Sequence, residues 1–116
     1  MTDRELLELA AKAAGFKDLT EWSDEISDYD STHYGMPALH PKCLGGQCSA
    51  WNPLEDDGDA LRLAVKLQME VKVYANCVIS EAPNGFGPCS ESGDELCKLT
   101  RRAIVRAAAE IGRSMP

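Results

Sequence analysis

A chain of 116 residues holds one domain with a modest core and leaves no room for two, and its 44% apolar and 27% charged residues are ordinary for a soluble globule. A formal net charge of −7 argues against direct binding of nucleic acid, which calls for a net basic face, and fits docking to a basic partner surface. No apolar run approaches the ~20 residues that span a bilayer, so no membrane partner is expected.

The N-terminal stretch MTDRELLELAAKAAG carries acids and lacks the basic and apolar regions of a signal peptide, which points to the cytoplasm of the cell that makes the protein. Thr2-Asp3-Arg4-Glu5 reads as a capping box. Leu6, Leu9, Ala10 and Ala13 follow at helical spacing, and Gly15 sits where a left-handed residue ends a helix, with Phe16 folding back on the last turn. This predicts a helix over 3–14.

Residues 17–52 carry weaker signals. Lys17 to Asp30 holds six acids and one base, with Leu19, Trp22, Ile26 and Tyr29 as its large apolar groups. A long structureless loop is unusual in a small domain, so two short irregular strands are expected near 20–30 and 47–52, with an exposed loop between them.

In WNPLEDDGDALRLAVKL, four acids crowd into Glu55 to Asp59 just before an apolar run. Carboxylates near a helix N-terminus accept from free backbone N–H groups and complement the dipole, so Asp57 is expected to cap a helix over 58–67. Leu61, Ala64, Val65 and Leu67 would face the core, with Arg62 and Lys66 outward and Trp51 packed beneath. The period then changes: Met69, Val71 and Val73 alternate with Glu70 and Lys72, and Ala75-Asn76 turns the chain into Cys77-Val78-Ile79-Ser80, a hairpin over 69–80. Residues 81–93 read as a turn-rich loop, including Gly-Phe-Gly within PNGFGP. A last helix over 94–112 would bury Leu96, Leu99, Ala103, Ile104, Ala107, Ala108 and Ile111, with Gly112 ending it.

The fold class expected is α+β, a small antiparallel sheet packed by about three helices in one domain over 1–116. WNPLEDDGDALRLAVKL and TRRAIVRAAAEIGR closely resemble the phage ABA sandwich domain family, small proteins of tailed bacteriophages and prophages, and ELLELAAKAAG fits the usual start of that family. The resemblance covers the first helix, residues 51–80 and the last helix. It implies an α/β/α sandwich and a phage origin, and it implies no activity.

Several side-chain groups are candidates for chemistry. His33, His40, Cys43 and Cys48 offer the nitrogen and thiolate ligands zinc takes, though an ordinary loop is favoured, so no metal or cofactor is expected. The five cysteines, with no secretion signal, read as free thiols. Cys89, shortly before the last helix, is the least poor nucleophile, while Cys77 and Cys97 fall on apolar periodicities and read as core. With no convergent catalytic groups, an enzyme is not expected. On the last helix, Lys98, Arg101, Arg102, Arg106 and Arg113 read as a solvated face, with Arg102 and Arg106 a candidate anion site.

The leading expectation is a non-enzymatic phage accessory protein that binds a host or phage macromolecule, counter-defence being one version. Asp18, Glu21, Asp24, Glu25, Asp28, Asp30 and Tyr34 would form its contact surface for a protein with a basic face. The alternative is a protein that sequesters a small nucleotide signal through the basic helix. Oligomeric state is not legible in the residues.

Overall fold

A computed structural model describes residues 2–15, 19–23, 38–41, 51–83 and 88–115. Helix α1 spans Asp3–Ala13 and opens with the expected capping box: the Glu5 N–H donates to the Thr2 hydroxyl, and the Thr2 N–H donates to the Glu5 carboxylate, both at 3.2 Å. Gly15, at φ +88°, is the left-handed residue that stops it. Its buried face holds Leu6, Leu7, Ala10, Ala11 and Ala14. Leu7 and Ala11 thus take the places expected of Leu9 and Ala13, which are half-buried.

Strands β1 (Leu19–Ser23) and β2 (Ala38–Pro41) form an antiparallel pair that sets Trp22 opposite Leu39. The first lies where a strand near 20–30 was expected, and residues 24–30 fall outside the described part. Its partner is at 38–41 and not at 47–52, where Trp51 makes only an isolated bridge and 47–50 are outside the described residues. Prolines at 37 and 41 bracket the short run and mask its strand character.

Helix α2 spans Asp57–Lys66. Its N-cap is Asp56, one residue before the expected Asp57: the Asp59 N–H donates to Asp56 Oδ2 at 2.8 Å. At its other end, the Gln68 N–H donates to the Val65 carbonyl and the Met69 N–H to the Ala64 carbonyl, a Schellman closure with Gln68 left-handed at φ 55°. Ala60, Leu63 and Ala64 are buried. Leu61 and Val65, expected in the core, are exposed instead, because α2 meets α3 through the adjacent stripe.

Strands β3 (Glu70–Val73), β4 (Cys77–Glu81) and β5 (Pro88–Ser92) form an antiparallel sheet in that order. The expected hairpin is present as β3 and β4. The stretch read as a loop over 81–93 contains a strand, β5. Only Cys89 among its residues is buried, so it carries almost no apolar alternation to betray it.

Helix α3 spans Leu96–Ser114, two residues beyond the expected stop at Gly112. All the other elements of this unit pack on it: α1 and α2, and the three strands. Ile104, Val105, Ala108 and Ala109 join a cluster with Leu6, Leu7, Ala10, Ala11, Trp51, Leu54 and Leu63. Each large aliphatic side chain buried there contributes on the order of 1.5–3 kcal/mol. Ala103 and Ala107 are buried outside that cluster, beside the arginine that reaches β5. The fold is therefore α+β, three helices and a three-stranded antiparallel sheet among the described residues. No described helix is long and apolar enough to cross a membrane.

Candidate functional site

The acidic opening of α2 is a structural latch. Asp59 is buried; its Oδ2 accepts from the Asn52 N–H at 3.0 Å and its Oδ1 from Arg62 at 2.6 Å. The Leu54 N–H donates to the Asn52 side chain at 3.1 Å, so Asn52 and Asp59 together fold the Trp51–Leu54 corner onto the helix. Asp57, the residue expected to cap, instead pairs with Arg101 of α3 at 2.5 Å, and the same arginine donates to the Leu54 carbonyl at 2.9 Å. Three of the four crowded acids thus hold structural contacts: Asp56 caps, Asp59 latches and Asp57 bridges.

The arginines of α3 are held by carboxylates of the same chain. Arg106 donates to Glu91 at 2.8 Å and to the Ser90 carbonyl at 3.0 Å. Arg102 lies 3.1 Å from Asp3 and 3.6 Å from Glu91. The hydrogen bond that Arg106 donates to the Glu91 carboxylate raises the Arg106 pKa and keeps the guanidinium charged. An anion bound here would have to displace Glu91, so the geometry does not favour the candidate pair Arg102 and Arg106 as an open anion site. Arg113 pairs with Glu110 at 3.2 Å on the exposed surface.

The cysteines divide by burial. Cys89 lies buried under α3, and burial pushes its thiol pKa up, the reverse of what a nucleophile needs. Cys97 is exposed in the first turn of α3 and is not a core residue as its spacing suggested; Cys77 is half-buried. All three are free thiols. No group of three or more metal-ligating side chains occurs among the described residues. Of the candidate zinc cluster, His33, Cys43 and Cys48 lie outside the described residues, and His40 is a backbone position in β2 opposite Glu21. Asp18, Asp24, Glu25, Asp28, Asp30 and Tyr34 of the expected contact surface also lie outside them.

One exposed apolar groove was not expected. A groove of about 320 Å³ runs between α2, β3 and the start of α3, with Ala60, Leu61, Val73, Leu96 and Ile104 in its walls. In its walls Leu61 and Val73 are 64% and 55% exposed, while Val65, one turn along α2 from Leu61, is 68% exposed and Tyr74 is exposed just past β3. A contiguous exposed apolar surface of this kind is a candidate docking surface. The signal was present in the sequence as Leu61 and Val65, one turn apart, but spacing alone does not say which of two adjacent helical stripes meets the core.

Comparison with protein-family models, curated proteins and solved structures returns no match.

Proposed function

We propose that this protein is a non-enzymatic accessory protein that acts by binding another macromolecule through its acid-rich segment. The observation that carries this reading is the distribution of charge. The stretch from Lys17 to Asp30 holds six acids against one base, while the α3 arginines 101, 102 and 106 are each engaged by carboxylates of the scaffold itself. The acidic stretch is therefore not balanced by those cations, and a basic protein surface is its natural complement. The resemblance to small phage proteins supplies the setting: the partner is a host or phage protein, and blocking a basic surface of a host defence system is the version that suits an acidic inhibitor.

The test is affinity capture from bacterial host lysate at low and high salt, with the native chain beside a variant carrying Asp24→Lys, Glu25→Lys and Asp28→Lys. A specific partner retained at low salt, weakened by salt and lost with the variant is the expected result. Capture that is indifferent to the three substitutions, or no partner at low salt, overturns the proposal.

A further inference from the structure

The two free edges of the three-stranded sheet are not alike. The order β3-β4-β5 leaves β3 and β5 outermost. The Tyr74 N–H donates to the Cys77 carbonyl at 2.8 Å, which sets the alternation of the ladder: Tyr74, Lys72 and Glu70 bond to β4, and the N–H and C=O groups of Val71 and Val73 point away from it. The same alternation turns the backbone of Pro88 and Ser90 outward from β5. That edge is obstructed at two points, because Pro88 has no N–H and Arg106 donates to the Ser90 carbonyl. The β3 edge has no such cover among the described residues. Val71 and Val73 lie opposite Ser80 and Val78, both fully buried, so their side chains are on the helix-facing side of the sheet. Val73 nevertheless stays exposed, since the groove it shares with Leu61 is empty beneath it.

We propose that a second copy of this chain docks on this edge, β3 against β3, antiparallel about a two-fold axis at Val71. The segment Met69-Glu70-Val71-Lys72-Val73 is complementary to itself in that register. Glu70 faces Lys72 of the partner subunit and Lys72 faces Glu70 of the partner subunit, on the outer side of the sheet. On the helix side, Val71 meets the partner's Val71 and Met69 meets the partner's Val73. Moving the axis one residue either way sets Lys72 against the partner's Lys72 or Glu70 against the partner's Glu70, and like charges directly opposite are destabilising. A lysine in mid-strand ordinarily guards an edge against pairing. Here Glu70 already sits 3.3 Å from it within one chain, so in the pair the two carboxylates and two ammonium groups share one neutral cluster. The added strand also lies beside the groove and reaches the exposed Leu61 in its wall. An isologous contact of this kind closes on itself as a dimer.

The experiment is sedimentation equilibrium over a wide concentration range, with native chain, Lys72→Glu and Glu70→Lys, each checked for unchanged melting at dilution. The native chain should move from its 12.6 kDa mass to twice that value. Each single variant should associate about tenfold or more weakly, and an equimolar mixture of the two should recover the dimer, because every charge then faces its opposite. Amide exchange at Val71 and Val73 should slow only where the dimer forms. A single-chain mass at every concentration overturns the proposal, whether or not some other protein then takes the edge. So does a dimer insensitive to both substitutions, which would use another face. Protection of Val71 and Val73 in the single-chain state also overturns it, since the chain would then be covering its own edge.

Discussion

Gly112 in α3 lies against Leu9 in α1 so closely that a Cβ at position 112 would sit inside the Leu9 carbonyl oxygen. The two helix backbones touch because one of them has no side chain there. Gly112→Ala should force them apart and lower stability by about 1–3 kcal/mol, the usual cost of overpacking. Urea denaturation of the variant checks this; an unchanged midpoint would mean that the helices do not meet at this point.

Asp56 and Asp57 differ in role although they are neighbours. Asp56→Ala removes the helix cap and should cost about 1 kcal/mol. Asp57→Ala removes an ion pair whose carboxylate is 70% exposed, and should cost less, about 0.5 kcal/mol. Thermal melts of both variants at one salt concentration should rank them in this order.

Gln68 holds a left-handed conformation that favours glycine. Gln68→Gly should relieve that strain and stabilise the chain by a few tenths to about 1 kcal/mol, after allowing for the added freedom of glycine in the unfolded state. A rise in melting temperature is the readout; a fall would mean that the Gln68 side chain is holding the turn.

Burial raises the Cys89 pKa above its ordinary value of 9.0. The unfolded chain ionises this thiol first, so the contribution present below 9.0 is lost as pH rises through the higher folded value. As pH rises from 9.0 toward that folded value, stability should therefore fall more steeply for the native chain than for Cys89→Ala. Alkylation at neutral pH, read site by site by mass spectrometry, should modify the exposed Cys97 well before Cys89.

Among the described residues, α1, α2, α3 and the corner at Trp51 and Leu54 supply a core cluster of their own. EDTA should then leave helical circular dichroism and the melting temperature unchanged, and Cys43→Ser with Cys48→Ser should cost no more than about 0.5 kcal/mol. Unfolding on chelation, with stoichiometric zinc by elemental analysis, would assign His33, His40, Cys43 and Cys48 a structural metal.

The sequence was most readable where local and long-range forces agree. The Thr2–Glu5 box and Gly15 bound α1 because both are backbone devices within a few residues. Gly112 misled for the opposite reason: a glycine that stops a helix and one that admits a neighbouring helix look the same until the neighbour is known. β5 was hidden because its place in the sheet rests on backbone pairing with β4 and on one buried thiol. The apolar groove was misread as core because Leu61 and Val65 are the right residue types on the wrong side of α2. The arginine row was visible, but its partners Glu91 and Asp3 are distant in sequence.

Closing the domain through α1 and α3 also sets a schedule for its birth on the ribosome. Asp3 and Arg102, which bond in the finished fold, are 99 residues apart, and Lys12 reaches the Met115 carbonyl across 103. At roughly 5–20 residues per second, α1 waits on the order of five to twenty seconds with Leu6, Leu7, Ala10 and Ala11 uncovered. A nascent chain in that interval carries a short amphipathic helix whose contacts with α3 are still to be made. A message cut short before α3 yields a product whose first helix lacks the element it packs on most.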